Sequence, residues 1–228
     1  MDIVYFVKRT PRNEELRYSL RSVVENMDNP TVWFVGGCPY YLKPDHQIIF
    51  RQTANKWNNV SDMIRQFCIA GNTPDEFLLF NDDFFLLDPT DWLCNLYDDT
   101  LGNLQKRVTK KNNNHASRYV KRLEEAERVL KDKGYTTYNF ELHCPFRVEK
   151  AKMLEVLREF GPKTPCKRSL YGNKYFKNTF EAQDNKIVLK EDRIPQGLFV
   201  STEDASFKDG KVGEYLRKRF HHPSRFER

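Results

Sequence analysis

A chain of 228 residues, 39% hydrophobic and 14% aromatic, carries enough apolar side chain to bury one sizeable core, which sets it apart from disordered proteins. No apolar run approaches the roughly 20 residues of a membrane-spanning helix, so a soluble protein is expected. The net charge of +6 is concentrated in one place: residues 105–133 hold ten Lys and Arg against four Asp and Glu, and the remainder balances at 28 against 28.

In chain order, "DIVYFV" (2–7) is a short run of β-formers and reads as a buried first strand, not as a signal peptide. In "NEELRYSLRSVVENM", Leu16, Leu20, Val23, Val24 and Met27 recur at helical spacing; Asn13 can cap, and Glu14 and Glu15 suit the first turn. "TVWFVGG" (31–37) and "QIIF" (47–50) are the next strands, "NVSDMIRQFCIAG" (59–71) a second helix, and "EFLLF" a strand running into Asn81-Asp82-Asp83. "DWLCNLYDDTLGNLQKR" is expected to be helical or irregular and "NNN" (112–114) a mobile loop. "SRYVKRLEEAERVLKDKG" (117–134) is a helix between Ser117 and Gly134. "TTYNFELHCPF" (136–146) is expected as a strand, "VEKAKMLEVLREFG" (148–161) as a helix and "KRSLYGNKYF" (167–176) as a mixture with a glycine turn. "KIVL" and "GLFVS" (197–201) are expected as late strands.

Alternation of strands and helices predicts an α/β fold: a mostly parallel central sheet flanked by helices, with ligands beyond the carboxyl ends of the strands. One domain is expected over 1–228, with a basic helical insertion around 103–134 and a basic tail over 208–228. Five scattered cysteines without a C-x-x-C pair support neither a zinc knuckle nor a disulfide framework; reduced thiols in a cytoplasmic setting are the simpler reading.

The acid pair is the first chemical signal. Neighbours on a strand point to opposite faces, and a buried unpaired carboxylate is costly, so adjacent acids at a strand end call for a cation. Mg²⁺ or Mn²⁺ between carboxylates and a diphosphate is one solution; a turn in which Asn81 makes an Asx-turn is the other. Arg17 and Arg21, one helical turn apart, can share a phosphate or pair with Glu14 or Glu25. His143 in "ELHCPF" can be a ligand, an acid or base, or a structural residue. Lys167, Arg168, Tyr171 and Asn173 surround a glycine, and Asp204 follows a strand end, where it can add a metal ligand. Residues 105–133 form either a solvated helix face or a surface for nucleic acid or an anionic glycan. P-loop, GxGxxG, GxSxG and HExxH patterns are absent.

Together "DIVYFV", "NEELRYSLRS", "FLLFNDDFF", "HCP" and "STED" resemble the Stealth family. These are sugar-phosphate transferases that include bacterial capsule polymerases and the lysosomal-enzyme N-acetylglucosamine-1-phosphotransferase. The chain is also similar to short phage-type glycosyltransferases, which share "RSLYGN". The resemblance implies a GT-A-like nucleotide-sugar fold with Asp82 and Asp83 binding Mg²⁺ or Mn²⁺ and Asp204 as a further ligand. It makes His143 and Asp83 catalytic, and Asp2, Arg17, Arg21, Asn81, Arg168, Tyr171 and Asn173 substrate-binding. The implied activity is glycosyl transfer from a nucleotide sugar to a polymeric or polyanionic acceptor. The alternatives are sugar-1-phosphate transfer and nucleic-acid binding on an inactive scaffold.

Overall fold

The computed structural model describes residues 1–53, 55–89, 96–111 and 117–228. Its centre is a five-stranded sheet in the order β3-β2-β1-β4-β7, made of β1 (Asp2–Val7), β2 (Thr31–Gly36), β3 (His46–Ile49), β4 (Glu76–Phe80) and β7 (Phe146–Glu149). The first four strands are parallel, and β7 closes the edge antiparallel to β4. Parallel strands require crossovers, which are supplied by α1 (Glu14–Asn26) and α2 (Lys56–Ile69).

Both sheet faces are covered, as the continuous apolar strands demand. Ile3, Tyr5 and Val7 join Leu16, Leu20 and Val23 of α1 in one core. Val4, Trp33 and Val35 face the other way, onto Met63, Ile64 and Phe67 of α2 and Met153, Val156 and Leu157 of α5 (Lys150–Phe160). Asn13 caps α1, its side-chain oxygen accepting from the Leu16 N–H.

After β4 the chain leaves this sheet. β5 (Phe84–Leu86) pairs antiparallel with β10 (Phe199–Thr202), which pairs with β9 (Lys186–Ile187), and this small sheet packs on α7 (Asp204–Asp209) and α8 (Lys211–Arg219). Between them come β6 (Leu96–Tyr97), paired with β8 (Phe180–Glu181), and the two packed helices α3 (Leu101–Lys111) and α4 (Arg118–Asp132). The expected loop at 112–114 and the thiol of Cys94 lie outside the described residues. The other four cysteines are free thiols. Among the described residues no helix is long and apolar enough to cross a membrane.

Two expectations are corrected. Residues 136–145 are not a strand: only Phe146–Glu149 enters the ladder, and Asn173 instead binds the backbone N–H and carbonyl of Tyr138. "KRSLYGNKY" is the helix α6 (Lys167–Tyr175), with Gly172 inside it against the Phe140 ring. The basic end of the chain is also built into the fold. Phe226 is buried, and Arg225 grips Asp45 through both oxygens, at 2.7 and 2.9 Å.

Candidate active site

Asn81-Asp82-Asp83 is the turn between the two sheets, closed by the Phe84 N–H donating to the Asn81 carbonyl at 3.3 Å. Because β10 runs antiparallel to β5, its carboxyl end lies beside this turn, and the Thr202 N–H donates to the Asp83 carbonyl at 3.2 Å. That contact carries Asp204, the first residue of α7, to the acid pair. The start of α1 approaches from the other side with Asn13 and Glu15. Four carboxylates from three parts of the chain, Glu15, Asp82, Asp83 and Asp204, thereby line two adjoining hollows, the larger about 470 Å³.

Each acid has a distinct environment. Asp82 accepts the Asn13 side-chain amide at 2.6 Å; burial pushes its carboxyl up, and the neighbouring charges of Asp83 and Asp204 add to this. One oxygen of Asp83 takes Lys186 at 2.9 Å and the Ser201 hydroxyl at 3.1 Å; the other, Oδ1, is buried without a hydrogen-bond partner. Glu15 accepts the Thr202 hydroxyl at 2.6 Å, and burial, joined by Asp204 and Asp83, pushes its carboxyl up to about 8. An accumulation of negative charge with a single lysine partner is what a bound cation would relieve. No group of three His, Cys, Asp or Glu among the described residues is arranged to hold an ion. Asp82 and Asp83 are each turned toward a protein partner, although their hard oxygens and the orphaned Oδ1 suit a divalent cation.

Cations face the acids across the larger hollow. Lys8 and Arg12 come from the β1–α1 loop and Lys208 from α7; none of the three makes an ion pair among the described residues. On the opposite flank of the turn, Asn81, His143 and Arg168 line a further cavity. There Asp184 accepts the His143 backbone N–H at 3.1 Å and meets its Nδ1 at 2.7 Å. Burial works against the Asp184 carboxylate, but the bonds from His143 hold it below the usual range.

The structure thus brings Asn81, Asp82, Asp83 and Asp204 to one strand end, with His143 and Arg168 across the turn. The other residues assigned to substrate binding do not line these cavities. Asp2 lies at the amino end of β1 and accepts the Trp33 indole N–H at 2.8 Å. Arg21 holds Glu227 through two bonds of 2.7 Å and the Phe220 carbonyl at 3.0 Å. Arg17 pairs with Glu14 at 3.0 Å, as one of the two sequence readings allowed, and lies over the Tyr41 ring. Tyr171 is 1% exposed and its hydroxyl accepts the Glu149 N–H at 3.0 Å; Asn173 holds the 136–138 segment. Glu15, Lys8, Arg12, Lys186 and Asp184 were not singled out from sequence for this site. Lys8 and Arg12 did carry a signal, since they follow a strand end directly. The chain matches no protein-family model and no curated protein.

Proposed function

We propose that the chain is a divalent-metal-dependent transferase of GT-A-like architecture that takes a nucleotide-sugar donor. The observation that carries this reading is the convergence of Glu15, Asp82, Asp83 and Asp204 at the carboxyl end of β4, with Oδ1 of Asp83 buried and unbonded. Asp82 and Asp83 would hold Mg²⁺ or Mn²⁺ together with the donor's phosphates, the ion supplying charge neutralisation to a departing phosphate, with Asp204 lining the same hollow. Lys8, Arg12 and Lys208 add positive charge on the facing rim, where a donor's phosphates gain from it before and during bond breaking. His143, oriented by Asp184, is the group assigned to take the proton from an acceptor hydroxyl. Asn81 shapes the turn between the two flanks.

Two chemistries use the same donor. In glycosyl transfer the bond to the sugar breaks and a nucleoside diphosphate leaves; in sugar-1-phosphate transfer the pyrophosphate bond breaks and a monophosphate leaves. The Stealth-like motifs around Arg17 and Asp82 favour the second as the alternative. Phosphorus NMR of the protein with Mg²⁺ or Mn²⁺, a panel of nucleotide sugars and candidate acceptors distinguishes the two by the released nucleotide. Absence of metal-dependent release from every donor overturns the reading.

A further inference from the structure

Among the described residues, Lys186 is the one basic side chain lining the smaller of the two hollows, about 450 Å³, beside the carboxylates of Glu15, Asp82, Asp83, Glu203 and Asp204. Three of these acids are met by neutral donors. Asp82 accepts the Asn13 amide, Glu15 the Thr202 hydroxyl and Glu203 the Leu189 N–H at 2.8 Å. Asp83 alone of the five makes an ion pair among the described residues, with the Lys186 ammonium at 2.9 Å. Lys8, Arg12, Lys208 and Arg217 border the larger hollow and form no ion pair with these acids.

The pairing is built into the small sheet. Lys186 is the first residue of β9 and lies beside Ser201 of β10 in the ladder, and both side chains reach the same oxygen of Asp83, Oδ2. Lysine and aspartate are largely covered, at 26% and 14% exposure, so water screens their attraction less than it would at the surface. The other oxygen, Oδ1, is buried without a hydrogen-bond partner. An ion sharing this carboxylate therefore has the ammonium as a like-charged neighbour, and each opposes the other's hold on Asp83. Lysine is suited to yielding: its charge is compact and rides on a flexible four-carbon stem, with no bidentate fork to break.

We propose that Lys186 competes with the divalent ion for Asp83 and so sets how tightly the acid turn holds that ion. The ammonium neutralises Asp83 and ties the turn to β9. The ion gains the carboxylate as that pair opens and Lys186 turns into the hollow. This inference rests on the metal-binding part of the transferase reading. A lysine that only oriented Asp83 would act in the opposite sense, because its removal would leave the carboxylate misplaced and the ion more weakly held.

Mn²⁺ titrations followed by electron paramagnetic resonance, with the wild-type chain, Lys186→Gln and Lys186→Arg, test the competition. Lys186→Gln is expected to bind Mn²⁺ about tenfold more tightly than the wild type, and Lys186→Arg, which keeps the charge, no more tightly. Equal or weaker binding by Lys186→Gln overturns the proposal and leaves the metal reading standing; no Mn²⁺ uptake by any of the three proteins overturns both. If Lys186→Gln does not fold, a measurement on the wild type decides the matter: lysine acetylation by acetic anhydride, read peptide by peptide with mass spectrometry. Mg²⁺ in place of EDTA should raise the rate at Lys186 severalfold and leave that of the exposed Lys110 unchanged. A Lys186 rate indifferent to Mg²⁺ overturns the proposal.

Discussion

Asn13 joins the start of α1 to the acid turn: its Oδ1 accepts the Leu16 N–H at 3.0 Å while its Nδ2 donates to Asp82 at 2.6 Å. One side chain therefore caps a helix and orients a site carboxylate. Asn13→Ala is expected to cost about 1 kcal/mol for the cap and roughly 1–3 kcal/mol more for a buried Asp82 left without a donor. Asn13→Asp keeps the cap but sets a carboxylate against Asp82, so it should recover stability at acid pH where alanine does not. Urea unfolding of the two variants across pH checks both outcomes.

Glu15 makes stability depend on pH in the direction opposite to an ordinary ion-paired carboxylate. Its carboxyl moves from 4.5 to about 8 on folding, so between those values the folded chain holds a proton that the unfolded chain has released. The contribution is most favourable at or below about 4.5 and is lost as pH rises through about 8. Glu15→Gln imitates the protonated form and should flatten that part of the profile. Thermal midpoints of both proteins over the window test this; parallel curves would contradict it.

Arg21 is held in an ion pair with Glu227. Both side chains are nearly covered, at 10% and 12% exposure, and Glu227 also accepts the Ser224 N–H at 2.8 Å. Glu227→Gln should destabilise the chain by about 3 kcal/mol, because it leaves a largely buried guanidinium uncompensated. Donor KM in the folded variant should not change. A selective rise in KM with unaltered stability would return Arg21 to the substrate.

What could be read from the sequence follows the range over which each interaction acts. α1, with its Asn13 cap and its apolar spacing, is local, and so is the placement of Asp82 and Asp83 where an apolar strand stops. The pairing of Arg17 with Glu14 is local too, but the partner of Arg21 is not, since Glu227 arrives from the other end of the chain. Asp184 and Glu15 join their sites only through tertiary packing, the first through His143 and the second through Thr202. "TTYNF" has strand propensity, but Asn173 and Ser169 take its backbone groups from α6 and keep it out of the ladder.

Gly172 explains why α6 was mistaken for a turn, and it supplies a prediction. A Cβ there would stand 2.5–2.7 Å from three carbons of the Phe140 ring, so glycine serves close packing inside a helix. Alanine's propensity advantage of about 1 kcal/mol is opposed by overpacking of roughly 1–3 kcal/mol. Gly172→Ala should therefore lower stability, where an exposed helical glycine would give a gain. Denaturant midpoints measured at equal slope decide the sign.

The most direct test of the central claim is Mn²⁺ binding, followed by loss of the free-ion signal in electron paramagnetic resonance. The wild-type chain should take up Mn²⁺ at one saturable site. Asp82→Asn and Asp83→Asn should bind at least about tenfold more weakly while keeping the wild-type circular dichroism. Undiminished Mn²⁺ binding by both variants would contradict the account and leave the acid turn as a feature of the fold alone.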